Sequence, residues 1–456
     1  MNSKYFGPKS FYKEAILIAI PVMLQQLVQS LVNLIDNFMV AGLGDVKMSG
    51  VNTAGTLIFA FQVLYNTICI SGGVYLTQHF GAKNKKGMQQ ALCFKIVLIS
   101  IACLLFMLMC SAFPSQAISL MLNGNNEAEA IINEGTKYMK IISLIGIPMA
   151  ISYVTAGSLR EIGNVNPSLV ITIIATIVNT FFNYMLIYGN FGAPRLEVEG
   201  AAIATVIARC VECLLFIIYT KIKKPPFAIK FDTLFHIDWK MFKEILVKAS
   251  MILFSEMLWV ISETVTTALY NSRGGADVVS GMASSFTIAN LFFISFNGIT
   301  SATGVIIGKT LGQGNLEEAK RQKNWLFMAA IIFGFIMLGI ALTNTLLVPV
   351  VFGNLSLSAQ KICRGMVITL ALYMPLWVYQ NTQFALSRAG GDAKMGFMVD
   401  GIFTIGMYFP LIFILALFTN LGPVYLYAIA KLTDIPKVIY ADWWLKKEKW
   451  VKNLAQ

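Results

Sequence analysis

Apolar runs long enough to cross a lipid bilayer recur from one end of this 456-residue chain to the other. Ile96 to Cys110, Trp325 to Val351 and Phe397 to Phe418 approach or exceed the ~20 apolar residues that span the hydrocarbon core as a helix. In such a chain the solvent for most side chains is lipid, and no water-soluble domain of useful size is left over. Composition agrees: 57% of residues are hydrophobic and 13% charged, with a mean hydropathy of +0.69, against about 25% charged in an ordinary soluble domain. The expected fold class is an all-α integral membrane protein. The short amino terminus leads directly into a long apolar run without a small-residue cleavage site, so a retained span is expected there in place of a removed signal.

Spans fall at roughly 14–40, 50–78, 92–113, 136–159, 167–189, 199–220, 243–270, 281–308, 324–348, 363–387, 395–418 and 422–444, with ends uncertain by a few residues. The net charge of +12 is not spread evenly over the loops. Lys4, Lys9 and Lys13 precede the first span. Lys83, Lys85 and Lys86 follow the second, Lys221, Lys223, Lys224 and Lys230 the sixth, and Lys320, Arg321 and Lys323 the eighth, while Lys446, Lys447, Lys449 and Lys452 close the chain. The alternate loops are neutral or acidic, as in Asn123 to Glu134 and around Arg195, Glu197 and Glu199. Basic loops stay on the cytoplasmic side. Both termini are therefore expected on the cytoplasmic side of the membrane, with an even number of spans. The positive charge reads as a topology and lipid-headgroup signal, and nucleic acid is not an expected partner.

The second half of the chain replays the first. The "EAILIAIPVMLQQ" that opens at Glu14 returns as "EILVKASMILFSE" from Glu244, the loop "HFGAKNKK" as "TLGQGNLEEA", and "SLREIGNVNP" as "LSRAGGDAKM", with Pro148 opposite Pro375. About twelve helices thus divide into two pseudo-symmetric six-helix bundles, 1–220 and 241–456, joined by a basic linker over 221–240 that contains Pro225-Pro226. An even number of spans per half makes them parallel repeats, with a substrate path expected at their interface.

The stretch "IAIPVMLQQLVQSLVNLIDNFMVAGLG", with "TQHFGAKN", "SLREIGNVNP", "EGAAIATVIARCVE", "GKTLGQGNLEEA" and "SRAGGDAK", resembles the multidrug and toxic compound extrusion (MATE) family, and "KEKWVKNLAQ" a bacterial branch of it. The likeness covers nearly the whole chain. It implies a V-shaped pair of bundles that exports amphiphilic, often cationic, organic compounds by alternating access, in exchange for Na+ or H+. It implies no cofactor, small-molecule substrates and lipid as the partners, and a monomer. A flippase for lipid-linked precursors, built on the same two-bundle plan, is the alternative.

Polar residues inside apolar helices mark candidate sites, because ionisable groups in hydrocarbon are expensive. Gln25, Gln29, Asn33 and Asp36 lie three or four residues apart on one face of the first helix. Thr172, Thr176, Asn179 and Asn183 form a second stripe on the fifth helix, and Thr205 stands on the sixth. Hydrogen bonding between helices is the alternative role for the amides and hydroxyls. A carboxylate in lipid needs a further reason, such as holding and releasing a cation. In the resembling family a first-helix aspartate, a fifth-helix Asn-x-x-x-Asp pair and a sixth-helix threonine form a cation site. Asp36, Asn179 and Thr205 match it, whereas Asn183 stands where the family commonly has aspartate. The resemblance therefore implies a possible Na+ or proton site at Asp36, Asn179, Asn183 and Thr205, with one carboxylate fewer than usual, and no other metal. Pro21 removes a helical hydrogen bond and is the expected hinge.

In the carboxyl half, Glu256, Trp259 and Glu263 on the seventh helix and Asp400 on the eleventh are candidate cavity residues, the aromatic offering a cation its π face. Arg209 with Glu212, and Lys431 with Asp434, are spaced as neutralising pairs. The Cys210-x-x-Cys213 pair stands alone in an apolar helix, and the other cysteines read as small core residues. No H-E-x-x-H, G-x-S-x-G or phosphate-binding loop occurs, so neither an enzyme nor a nucleotide-driven pump is expected.

Overall fold

The computed structural model describes residues 4–122, 127–229 and 236–456. Parts of the acidic third loop and of the basic linker, including Lys230, lie outside the described residues. The described chain is helical, and eleven of its helices are long and apolar enough to span a membrane. They are α1 (Lys9–Ala41), α2 (Asp45–Gly81), α3 (Lys85–Ala112), α4 (Ala128–Glu161), α5 (Asn166–Tyr188), α6 (Glu197–Lys223), α7 (Trp239–Asn271), α8 (Ala276–Gly312), α9 (Leu316–Val351), α10 (Leu357–Ala389) and α11 (Ala393–Phe418).

The expected twelfth span is two short helices end to end, α12 (Pro423–Lys431) and α13 (Asp434–Leu445). Pro436 explains the break. It has no N–H to donate back to Leu432, and its ring crowds that carbonyl, so a continuous helix is interrupted one turn earlier. In the first turn of a new helix the missing N–H is harmless. Lys431 ends α12 and Asp434 opens α13, so each charge complements the dipole of its own helix end.

The internal repeat is written into the backbone. α1 and α7 each have 33 residues, and α2 and α8 each have 37. α3 and the matching first part of α9, Leu316–Thr343, each have 28. The turns between them coincide too. Gly163 (φ 78) and Gly391 (φ 76) both end their helices in the left-handed conformation. In each case the next amide bonds five residues back, Asn164 N to Leu159 O at 2.9 Å and Asp392 N to Ser387 O at 3.0 Å, the Schellman arrangement that satisfies end-of-helix carbonyls. Where Gly314 turns at φ 80, the first repeat uses Lys83 at φ 54, a conformation that disfavours a residue with a Cβ by roughly 1–2 kcal/mol.

The chain divides into two compact units. One holds 24–76 with 84–245. The other holds 246–456 together with 1–23 and the end of α2, 77–83. Within that second unit α2 and α8 cross at repeat-related glycines. A Cβ on Gly81 would lie 2.1 Å from the Lys309 carbonyl oxygen, and one on Gly312 would lie 1.9 Å from that of Gln78. The carboxyl-terminal segment packs over this crossing. Gln78, fully buried, donates to Ala389 O at 2.7 Å and accepts from Leu454 N at 2.6 Å. Trp450 is buried, and its carbonyl sits where a side chain on Gly390 would be.

Because backbone carbonyls cannot rotate away, Gly81→Ala and Gly312→Ala must push the two helices apart. Each is expected to destabilise the protein by about 1–3 kcal/mol, read as a lowered unfolding midpoint in detergent. Gly339→Ala, in a helix with open space around it, is the control and should leave the midpoint unchanged or slightly raised.

Candidate functional site

The amino-half site is built by two helices, α1 and α5, that bring polar atoms to one spot. Asp36 comes from α1, four turns past Pro21, which the helix accommodates without ending. Asn179 and Asn183, one turn apart on α5, are both buried. The Asn183 amide donates to Asp36 Oδ1 at 2.5 Å. The end of the Asn179 amide lies 3.0 and 3.3 Å from the two Asp36 oxygens. With its nitrogen turned inward, Asn179 donates to both. With its oxygen turned inward, three oxygens converge at the separations that a proton or small monovalent cation bridges. Asn183 Oδ1 is buried and has no hydrogen-bond partner, which is costly unless something cationic or proton-bearing meets it.

Asp36 makes no ion pair among the described residues. The nearest base is Arg209 on α6, and it is committed to Glu212 at 2.7 Å, as the i,i+3 spacing predicts. Thr205 donates to Ala201 O at 3.0 Å and lies near Tyr138 of α4. It stands beside the Asp36 cluster without bonding to it. Tyr138 borders the same cluster and was not legible as a site residue, because a lone tyrosine in an apolar helix has no distinguishing spacing.

Of the remaining first-helix stripe, Gln25 donates to Thr172 Oγ1 on α5 at 3.0 Å, which makes that pair a tie between helices. Gln29 is half-buried and Asn33 is exposed. Below the cluster, Lys95 of α3 is fully buried against Glu161 and Ser158 of α4. Gly73 leaves the room: a Cβ there would meet Glu161 Oε1 at 2.1 Å. All seven cysteines are free, and Cys69, Cys93, Cys103 and Cys110 are buried. No cluster of three or more His, Cys, Asp or Glu able to hold a metal occurs among the described residues.

In the carboxyl half, the candidate acids have basic partners. Glu256 pairs with Arg388 of α10 at 3.0 Å, and Glu263 with Lys431 at the end of α12. Lys431 therefore does not neutralise Asp434, as its spacing suggested. Asp434 instead accepts from Trp377 at 2.8 Å and faces Lys437 at 3.5 Å. Lys437 also donates to Thr404 at 3.2 Å. Asp400, on α11, lies in the field of Lys437 and Arg388. Trp259 is 55% exposed. The rings that meet a charge are Tyr408 and Tyr427, 5.1 and 5.3 Å from Lys431 Nζ. Two helix irregularities frame them: the π-helical stretch Gly401–Tyr408 in α11 and the gap between α12 and α13. Such interruptions cluster at functional sites of transporters.

The family described as MatE matches the chain twice, over residues 21–185 and again over 252–418. Curated relatives named probable multidrug resistance protein NorM include one from Thermotoga maritima, 25% identical over 311 residues, which are 67% of this chain and 64% of that protein. Another, from Pasteurella multocida, is 22% identical over 403 residues, covering 84% of this chain and 80% of that protein. Among solved structures, a MATE protein in the bent conformation superposes with a TM-score of 0.84 at 18% identity, covering 96% of this chain and 95% of that one. A MOP superfamily transporter from Pyrococcus furiosus gives 0.83 at the same identity and coverage. The doubled match explains the repeated helix lengths and turns, and with the shared fold it establishes that this chain belongs to the MatE family, whose members are membrane transporters and not enzymes.

Proposed function

We propose that this protein exports amphiphilic organic cations across the bacterial cytoplasmic membrane, by alternating access, in exchange for Na+ or H+ held at Asp36. The observation that carries this reading is Asp36 itself. It is the one amino-half site carboxylate that meets amides instead of a base, and beside it is a buried amide oxygen with nothing to accept from. A carboxylate paired with an arginine or lysine is already neutralised, and a mobile ion must first displace that base. Asp36 has a use for such an ion. One carboxylate and neutral oxygens suit a monovalent ion, and Asn183 Oδ1 and Asn179 would complete its shell.

The names of the NorM relatives support a drug-like cargo. The basic loops support cytoplasmic termini, and in this reading the six-helix halves 1–220 and 241–456 are the moving parts and a monomer suffices. A lipid-linked pyrophosphate as cargo would need a surplus of base. Arg388, Lys431 and Lys437 each have an acid within 4 Å, which favours the cation reading.

Asp36→Asn is expected to abolish efflux activity, read as accumulation of a fluorescent cation inside inverted vesicles, while leaving expression and unfolding midpoint close to wild type. Full efflux by that variant would refute the coupling role. Sodium and proton gradients imposed separately on the same vesicles identify the ion. Pro21→Ala restores the helical hydrogen bond that the proline lacks. If bending of α1 is part of the cycle, efflux slows severalfold in Pro21→Ala with binding of the dye retained; an unchanged rate would make the proline a static feature.

A further inference from the structure

We propose that Glu263, Tyr408 and Tyr427 form a binding site for an organic ammonium ion, and that the Lys431 side chain is its resting occupant. The inference deepens the export reading, from which it takes the class of cargo, and it concerns only the carboxyl half.

The geometry is that of an ammonium receptor. A carboxylate and two tyrosine faces surround one nitrogen, at 2.5 Å for Glu263 Oε1 and 5.1 and 5.3 Å for the ring centroids. Carboxylate plus aromatic walls is how proteins bind alkylammonium heads. The cage is held from behind. Tyr408 hydrogen-bonds Thr266 of α7, Tyr427 packs on Phe286 of α8, and Tyr373, stacked on Trp377, donates to Ala428 O of α12 at 2.7 Å. Its two charged members differ in access. The Lys431 side chain is 9% exposed, whereas that of Glu263 is 25% exposed. An incoming cation therefore meets the carboxylate first, and the lysine is what it must displace.

The lysine also has somewhere to go. It is the last residue of α12, one residue from the turn Leu432-Thr433 that leads into α13, so its side chain stands at the junction of the two helices. Asp434, just across that gap, already lies in its field and can take the ammonium when Glu263 is engaged. A pair meant only to tie helices together needs neither the gap nor the two tyrosine faces. Before cargo binds, Glu263 holds Lys431; afterwards it holds the cargo while Lys431 turns to Asp434, which it then shares with Lys437, so that each carboxylate and each ammonium of the set keeps an opposite charge beside it.

Lys431→Met removes the tethered competitor and leaves Glu263 in want of a cation. Purified in detergent, this variant is expected to bind tritiated tetraethylammonium at least ~10-fold more tightly than wild type, and Glu263→Gln added to it should erase the gain. No gain in Lys431→Met, or an undiminished gain in the double variant, overturns the assignment. A measurement on the wild-type protein keeps the test open if Lys431→Met does not fold. Saturating tetraethylammonium should raise the rate of reductive methylation of Lys431, read by peptide mass spectrometry, and an unchanged or lowered rate overturns the displacement. The export reading fails separately, when wild-type vesicles move no organic cation under either gradient; a tetraethylammonium site at Glu263 would survive that result, and efflux would survive the loss of this site.

Discussion

Within hydrocarbon each charged group must find its counter-charge inside the protein, and this constraint orders the polar interior of the chain. Lys95 meets Glu161, Arg209 meets Glu212, Arg388 meets Glu256, and Lys431 meets Glu263. Each pair joins or stiffens helices that lipid alone would not hold together, since apolar side chains gain little by leaving lipid for protein. Against that rule Asp36 stands out. Its partners are two asparagines, which satisfy hydrogen bonds but leave the charge itself uncompensated. In the amino-half site, the residue that departs from the pairing rule is the one whose charge is free to be met by something mobile.

The two halves share a backbone but not a polar plan. Helix lengths and left-handed turns repeat so closely that Gly163 matches Gly391 and Lys83 matches Gly314. The crossing of α2 and α8 uses the repeated glycine from each side. Yet α5 and α6, which carry the amino-half site, are continuous, while the regions that correspond to them, α11 and α12 with α13, contain a π-helical stretch and a gap. After duplication a regular helix was kept where two asparagines one turn apart must face one carboxylate. Irregular backbone was admitted where a lysine, an aspartate and two tyrosines are gathered from segments that a straight helix would hold apart.

What the sequence made legible follows from the range of the signal. Spans are local: twenty apolar residues declare themselves, and eleven of the twelve expected helices are present as single elements. The repeat was legible because glycines at turns and crossings are fixed by backbone geometry. Pro436 held the signal for the broken twelfth helix, since a proline two residues past an aspartate reads as a helix start, but the surrounding apolar run masked it. The amino-half site was readable from polar spacing on α1 and α5. The carboxyl-half pairing was not. Glu263 and Lys431 are 168 residues apart, and within a single sequence nothing distinguishes Lys431 paired with Asp434, one helical turn away, from Lys431 paired across the bundle. Tyr408, Tyr427 and Tyr138 were missed for the same reason: an aromatic ring becomes part of a site only through what the fold sets beside it.

Under the exchange proposed above, an amide at Asn183 in place of the carboxylate that the resemblance implies also bears on what would drive transport. With one carboxylate in the amino-half site, one monovalent cation is the natural load. Exchanging one such ion inward for one monocationic compound outward moves no net charge, so the membrane potential, about 2.3 kcal/mol per charge per 100 mV, contributes nothing to that cycle. The ion gradient alone drives it, at about 1.4 kcal/mol for each tenfold difference in concentration. A neutral cargo exchanged for the same ion does move a charge and gains the potential as well. A single-carboxylate exchanger should therefore concentrate neutral amphiphiles outside the cell more steeply than cationic ones, unless the cation's own charge is offset elsewhere along its path. The carboxyl-half pair of Glu263 and Lys431 supplies no such offset, because displacement of one ammonium by another leaves the local charge of the protein unchanged.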